Sequence, residues 1–188
     1  MELAFDLINS EEWYGRGEQG RVDHLAGAEG LAGFLGRWGF ADVDAPTPAQ
    51  RKQLLRLRAM LRRMVTALAG GDAPSGDDFN ELGHFLAGQA FRRRVEPEDD
   101  GYRLDLAPVR RDWAWVLSEI ASSFARLVAE GERERVKLCD NPECRWAFYD
   151  TTKNRRRRWC DATECGNLFK VRQFRARQRA KQSTRGAP

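Results

Sequence analysis

Apolar residues recur at steps of three and four along most of the chain, which is the spacing of one face of an α-helix. The longest such run follows Thr47, Pro48 and Gln50, which form a helix start with an N-cap threonine and a proline in the first turn. This run continues to Leu68, and two glycines end it. We predict further helices over residues 23–38, from residue 77 or 78 to about 88, and from 108 to 131.

Strands are predicted where apolar and polar residues alternate. Residues 91–95 and 102–106 flank an acidic turn and predict a β-hairpin. Residues 2–9 alternate as a short strand or an extended lead-in. The glycine-rich residues 15–20 predict a flexible loop, because they lack the strand-to-helix setting of a phosphate-binding loop.

The four cysteines of the chain form two pairs, Cys139 with Cys144 and Cys160 with Cys165, each with four intervening residues. Two close pairs suit tetrahedral zinc, since each pair supplies two of the four thiolate ligands. A site closed by four cysteines leaves no position for water, so the single zinc ion would be structural. The alternatives are two disulfides or four unrelated buried thiols. The start of the chain does not resemble a signal peptide, which favours the reducing cytoplasm and therefore zinc.

The residues around the cysteines predict how the zinc module is built. The aromatic-rich residues 145–150 predict a strand, residues 155–159 predict a return strand, and residues 168–181 lack proline and glycine, as a helix does. A turn, a hairpin and a helix with the last ligands at its start form the layout of a treble-clef zinc module.

The predicted fold class is therefore mainly α with a small β component. A helical N-terminal domain with a β-hairpin is expected at residues 1–131, and the treble-clef-like four-cysteine module at 136–181. Residues 130–135 are the expected hinge between them, and residues 182–188 are expected to form a flexible tail.

Charge separates the two parts of the chain. Residues 151–188 hold twelve Lys and Arg against Asp161 and Glu164, a net charge of +10, whereas the other 150 residues hold twenty against twenty-six, a net charge of −6. A basic end on an acidic body is typical of a segment that binds a polyanion. The predicted nucleic-acid contacts are Arg155, Arg156, Arg157, Arg158, Lys170, Arg172, Arg175, Arg177 and Arg179. The arginines of the helix after Thr47 are instead assigned to a solvated helix face.

The sequence resembles a known protein family at both ends. Residues 138–177 are similar to the CGNR zinc finger, which in that family follows an N-terminal ABATE domain, and residues 2–9 are similar to the opening of that domain. The features that carry the resemblance are the Cys139–Cys144 pair, Phe148-Tyr149-Asp150, Arg157-Arg158-Trp159-Cys160 and Cys165-Gly166-Asn167. The resemblance implies a stress-induced bacterial transcription regulator whose finger binds DNA. Leu168 stands where the motif has its arginine.

The resemblance also suggests that Asp6 and Asn9 face a ligand pocket; the alternative is that Asp6 caps a turn and Asn9 starts the next loop. No catalytic constellation is found, because the only histidines, His24 and His84, lie away from the cysteines. We therefore expect a cytoplasmic protein that is not an enzyme. No segment is apolar enough to span a membrane.

Three classes of function remain open. The first is a DNA-binding transcription regulator, whose N-terminal domain senses a small-molecule or protein effector and which forms a homodimer on two half-sites. The second is an RNA-binding protein that stacks bases on Trp146, Tyr149 or Trp159. The third is a protein-interaction or small-ligand adaptor in which zinc is purely structural.

Overall fold

The computed structural model describes residues 2–13 and 20–185, with no side-chain placement for Trp13, residue 176 and residues 179–185. The predicted loop at 15–20, apart from Gly20, therefore lies outside the described residues, as do residues 186–188 of the predicted tail and the side chain of Arg179.

Six helices and six short strands make up the described chain, so the mainly α prediction with a small β component is confirmed. The helices are α1 Glu2–Asn9, α2 Ala28–Arg37, α3 Pro48–Gly70, α4 Gly76–Ala87, α5 Trp113–Glu130 and α6 Cys165–Arg185. The strands are β1 Glu11–Trp13, β2 Arg21–Asp23, β3 Phe91–Glu98, β4 Gly101–Pro108, β5 Val136–Leu138 and β6 Ala147–Tyr149. They pair antiparallel in sequence order as three two-stranded sheets.

Helix α3 lies at the centre of the body and packs against α1, α4 and α5. Its predicted start is confirmed: the Thr47 side chain accepts a hydrogen bond from the Gln50 backbone, and the Gln50 side chain accepts one from the Thr47 backbone. Gly71 ends the helix in the left-handed conformation, with φ 87°. The buried stripe along α3 consists of Leu54, Leu57, Met60, Leu61, Met64, Val65 and Leu68.

The strand prediction for residues 2–9 is wrong, because this segment is helix α1. The polar residues Glu2, Asp6 and Asn9 recur at steps of four and three and lie on one side of α1, which is helical spacing. Over only eight residues, the alternation of Leu3, Phe5 and Leu7 also resembles a strand, and it misled the prediction.

Three other boundaries differ from the prediction. The segment predicted as a helix over 23–38 begins as strand β2 and a turn, and α2 itself starts only at Ala28. Helix α5 starts at Trp113, where Asp112 accepts the first backbone hydrogen bonds, and not at residue 108. Strands β3 and β4 are each three residues longer than expected, and they leave only a tight turn between Glu98 and Gly101.

Arginines on α3 were assigned to a solvated face, but five of the six cations bind within the protein. Arg51 donates to the Leu25 and Ala26 carbonyls, and Arg56 and Arg63 pair with acidic residues of α4. Buried Arg58 holds Asp23 through two hydrogen bonds of 2.8 and 2.7 Å. These side chains therefore bind neighbouring segments to α3.

The hairpin of the zinc module is also built differently from the prediction. Strand β6 pairs with β5, so the return strand predicted at 155–159 is wrong and those residues form no strand. Residues 151–154 form the expected turn, but the chain then runs beside the hairpin, where Arg158 accepts a backbone hydrogen bond from Asp140 at 2.9 Å.

Side chains of this hairpin reach into the main core, since Val136 and Ala147 belong to the same buried cluster as the helices. Asn9 reinforces the join by pairing with both backbone polar groups of Ala147, its Nδ2 donating at 2.9 Å and its Oδ1 accepting at 2.8 Å. Arg62 donates to the carbonyls of Ile8 and Arg145, each at 2.7 Å. The zinc module is thus packed directly on α1 and α3.

The expected hinge at 130–135 is held by contacts. Residues Arg133–Arg135 form a turn of 3-10 helix, and the Glu132 backbone N–H donates to the Tyr149 hydroxyl at 3.0 Å. Arg155 forms ion pairs with both Glu132 and Glu134. None of the described helices has a stretch that is long and apolar enough to cross a membrane.

We predict that Asn9→Ala lowers the free energy of unfolding by about 1–3 kcal/mol, because the Ala147 N–H and C=O lose their partners in a partly buried place. Urea denaturation measures this loss, and amide exchange at Ala147 should accelerate. The matched control is Glu2→Ala on the exposed part of the same helix, with a change below about 0.5 kcal/mol. Unchanged amide exchange at Ala147 in the Asn9 variant would contradict the role of Asn9 in holding β6 to α1.

Candidate metal centre

The first cysteine pair lies in the tight connection between β5 and β6. Cys139 follows β5 and donates its backbone N–H to the Trp146 carbonyl at 2.8 Å, while the Cys144 N–H donates to the Asn141 carbonyl at 2.9 Å. Arg145 adopts φ 56°, which turns the chain back toward β6. Both thiols are thereby directed to the same side of the hairpin, where the second pair lies.

The second pair spans a turn that leads into α6. The Asp161 carboxylate accepts the backbone N–H groups of Thr163 at 2.7 Å and Glu164 at 2.8 Å, which brings Cys160 near Cys165. Cys165 is the first residue of α6, as predicted for the last ligand. Gly166 follows it and lies against the indole of Trp159, where an added Cβ would be at ordinary contact distance, 3.4 Å.

The four sulphur atoms form one compact cluster, all within 4.8 Å of one another. The Cys144–Cys160 and Cys160–Cys165 sulphur distances are 3.5 and 3.7 Å. A tetrahedral zinc ion with bonds of about 2.3 Å separates its sulphur ligands by about 3.8 Å. Disulfides require about 2.05 Å, and all four cysteines are free thiols. The donor set therefore fits one zinc ion.

Electrostatics also favours a cation in the cluster. The pKa of Cys144 is lowered to about 6, chiefly by its hydrogen bond with Cys160 and by the backbone N–H of Trp146. The pKa of Cys160 is raised by the hydrogen bond to Cys144 and by burial, and burial raises the pKa of Cys165 to about 11. One thiolate therefore disfavours the next, and a divalent ion would remove this repulsion.

A residue that the sequence analysis missed, Asn141, supports the cluster. Its buried amide donates to the Cys165 sulphur at 3.6 Å, and its Oδ1 accepts from the Glu143 backbone and from Arg172, each at 3.3 Å. The first cysteine loop is thereby joined to α6. The sequence gives little indication of this role, because Asn141 is recognised only through its contact with Arg172, which lies 31 residues away.

Asp150 is the second support that was not predicted, although it lies in the motif Phe148-Tyr149-Asp150. Its carboxylate is fully buried and accepts hydrogen bonds from Lys137 at 2.6 Å, the Arg157 N–H at 2.9 Å and the Thr152 N–H at 3.0 Å. Burial alone would raise the pKa of Asp150, but these donors outweigh it and hold the pKa well below its usual range. The carboxylate therefore holds the hairpin against the arginine-rich segment.

The predicted nucleic-acid contacts fall into two groups. The first group has partners inside the protein: Arg155 pairs with Glu132 and Glu134, Arg158 with Asp140, and Arg172 with Glu143. Arg157 donates to the Trp159 and Cys160 carbonyls and lies 4.9 Å above the Phe148 ring. These four side chains hold the zinc module together.

In the second group, Arg156, Lys170, Arg175 and Arg177 are exposed and form no ion pair with another described side chain. Phe169 packs on Trp159 and Arg172 on the first cysteine loop, so that side of α6 faces the module. At about 100° per residue, Lys170 and Arg177 lie on the outer side of the helix. The nine-residue prediction itself is not tested by these contacts.

Apolar side chains also lie on the exposed part of α6, which the sequence analysis did not single out. Leu168, in place of the motif arginine, is 49% exposed, and Val171 and Phe174 are 46% and 63% exposed. The aromatics considered for base stacking are less available: Trp146, Tyr149 and Trp159 are each half-buried. Tyr149 contacts the linker and Trp159 packs on Phe169.

Asp6 and Asn9 line a cavity of about 370 Å³, together with Glu12, His24, Arg37, Trp146 and others. Asp6 accepts hydrogen bonds from Arg37 at 2.8 Å and from the Trp38 indole at 2.7 Å. Asn9 uses both of its amide atoms on Ala147. Both residues therefore have structural partners, and the ligand pocket stays a prediction.

The fold and the cysteine cluster define a zinc-finger protein with a helical body. Residues 135–178 match the CGNR zinc finger, and residues 1–131 match ABATE, described as "Putative stress-induced transcription regulator". The chain belongs to the ABATE family, and the four clustered cysteines of its CGNR finger form a site for one zinc ion. No curated protein matches the chain.

We predict that Cys160→Ser reduces bound zinc from about one ion per chain to none that survives dialysis, because three thiolates leave the tetrahedral site open. Amide exchange should accelerate at 139–146 and 156–178, whereas Val136 and Ala147 keep protection from the main core. Glu164→Gln, an exposed neighbour of Cys165, is the matched control. Full zinc content in the Cys160 variant would contradict the four-cysteine site.

We predict that Asp150→Asn at neutral pH lowers the free energy of unfolding by about 3–5 kcal/mol, since the Lys137 ammonium loses its buried carboxylate. Chemical denaturation of the zinc-loaded protein measures this change. Asp140→Asn, whose pair with Arg158 is exposed, is the control and should cost below about 1 kcal/mol. Equal losses of unfolding free energy in the two variants would show that burial does not make the Lys137–Asp150 pair more important for stability than the exposed pair.

Proposed function

We propose that this protein is a cytoplasmic, DNA-binding transcription regulator that acts by binding and not by catalysis. The observation that carries the proposal is helix α6, which begins at a zinc ligand and presents exposed cations on its outer side. Zinc fixes the start of the helix, so these cations are held in a defined direction from the body. The family description supports regulation of transcription, and the positive charge supports DNA as the partner.

The exposed cations that form no ion pair with a described side chain are the proposed phosphate contacts. Lys170, Arg175 and Arg177 extend along α6, and Arg156 lies on the adjoining loop. The other four arginines already have partners within the protein, because three form ion pairs with acidic side chains and one donates to backbone carbonyls: Arg155, Arg158, Arg172 and Arg157. We therefore assign them a structural role in the zinc module. Arg179 belongs to the same basic helix by sequence.

The outer side of α6 is also suited to base edges. At about 100° per residue, Phe174 and Val171 lie between Lys170 and Arg177 on one side and Arg175 on the other. In a major groove the cations would bind phosphates on either side, while the apolar side chains contact thymine methyl groups. RNA binding by stacking has less support, because Tyr149 and Trp159 are engaged within the module.

The helical body is the proposed sensor. The cavity that contains Asp6 and Asn9 lies between α1, α2 and the finger residue Trp146. A small-molecule effector there would contact both parts of the chain at once. Binding could alter the finger because Asn9 holds β6 directly.

We predict that the triple variant Lys170→Ala, Arg175→Ala, Arg177→Ala lowers the magnitude of the salt slope for duplex DNA by about 3, since each lost phosphate contact removes about one unit. The slope is the change in log affinity with log salt concentration, measured by fluorescence anisotropy. The control removes three exposed cations of the body, Lys52→Ala, Arg92→Ala and Arg126→Ala, with no change in slope. Equal slopes for all three proteins would overturn the DNA-binding role of α6.

A further inference from the structure

The β3–β4 hairpin has one apolar face that no described element covers. The strand register places alternate residues of β3 and their partners on β4 on this face. The pairs are Phe91 with Pro108, Arg93 with Leu106, Val95 with Leu104, and Pro97 with Tyr102. The exposures are 37% for Phe91, 62% for Val95, 82% for Tyr102, 67% for Leu104 and 61% for Leu106. A large apolar face of this kind on a two-stranded sheet indicates an interaction surface.

The opposite face is polar and already paired within the hairpin. Arg94 forms an ion pair with Glu96, and Arg103 forms ion pairs with Glu96, Glu98 and Asp105. This face is therefore suited to water, and only the apolar face lacks a partner within the described chain.

We propose that this apolar face binds the same face of a second copy of the chain, which makes the protein a homodimer through β3 and β4. The two hairpins lie face to face, antiparallel, about a two-fold axis. Such an isologous contact places the same apolar residues on both sides of the interface.

The available area is sufficient for a dimer. With about 200 Å² for a fully exposed large side chain, the five exposed apolar residues offer about 600 Å² per copy. Two copies would bury about 1,200 Å², which reaches the range of roughly 1,200–2,000 Å² for stable protein interfaces.

The charge distribution selects a second copy and its orientation. The tip, residues 96–103, has four acidic residues against Arg103, a net charge of −3, whereas the base, residues 91–95 and 104–111, has five arginines against Asp105, a net charge of +4. An antiparallel arrangement brings each acidic tip over the basic base of the other copy. A parallel arrangement would oppose like charges.

The same charges disfavour other occupants. The whole hairpin, residues 91–108, has four arginines against five acidic residues, a net charge of −1, so a nucleic acid gains nothing from it. An anionic membrane surface would repel the acidic tip. The dimer also stands independently of DNA binding, because the hairpin and α6 are separate elements.

Leu104→Glu tests the interface in the intact, zinc-loaded protein, with mass measured by sedimentation equilibrium over a micromolar dilution series without DNA. The wild type should approach twice the 21.5 kDa of one chain. The variant should raise the dimer dissociation constant by at least about a hundredfold, because an unpaired charge enters the interface in both copies. Leu104 is exposed in the single chain, so its replacement leaves the core intact.

Phe79→Glu is the matched control, since it makes the same change at an exposed apolar residue of α4 and should leave the dimer unchanged. Arg93→Glu, on the apolar face, should weaken the dimer by facing the acidic tip of the other copy. A monomeric wild type, or a Leu104→Glu variant that dimerises as the wild type does, would overturn the proposal. A tighter dimer with Arg93→Glu would overturn the antiparallel orientation.

Discussion

Repulsion among four clustered sulphurs is the constraint on which the rest of the zinc module depends. The thiols lie within 4.8 Å of one another, and the hydrogen bond with Cys144, burial and the charge of Cys144 all raise the pKa of Cys160. Zinc removes this repulsion by binding all four thiolates. It thereby joins the β5–β6 hairpin to the first residue of α6, and the contacts of Asn141 with Cys165 and Arg172 reinforce this join.

Around the metal site, buried polar groups connect the finger to the helical body. Asn9 extends the hydrogen bonding of β6 onto α1, Arg62 connects α3 to the carbonyl of Arg145, and Asp150 gathers the donors of three segments. Burial lowers the pKa of Arg62 to about 10, with a further contribution from nearby Arg58, and the guanidinium remains charged at neutral pH. Body and finger are therefore joined by hydrogen bonds and packing, as the proposed sensing role requires.

Local signals in the sequence were sufficient for some elements and not for others. The capping residues of α3 and the spacing of the cysteines predicted the central helix and the metal ligands, because both depend on neighbours within a few residues. Helix α1 was misread because it spans only eight residues, in which the alternation of Leu3, Phe5 and Leu7 coexists with the helical spacing of Glu2, Asp6 and Asn9. The β5–β6 pairing was missed because β5 is only three residues long and precedes the first cysteine.

The functions of single polar residues depend on contacts that sequence spacing does not reveal. Asn9 and Ala147 are separated by 138 positions, and Asn141 and Arg172 by 31. The nine basic residues of the C-terminal part look equivalent in the sequence, yet four of them have partners in the protein and four are exposed without an ion pair among the described side chains. Only the folded arrangement separates cations that shape the module from cations that can reach DNA.

In the proposed function, zinc orients the basic helix for DNA. We would therefore measure the affinity of the intact wild-type protein for duplex DNA before chelation of zinc, after chelation, and after zinc is restored. We expect steeply salt-dependent binding that weakens at least about tenfold on chelation and returns with zinc. Affinity that is unchanged after the metal has left, with zinc content measured on the same samples, would show that zinc does not orient the helix for DNA.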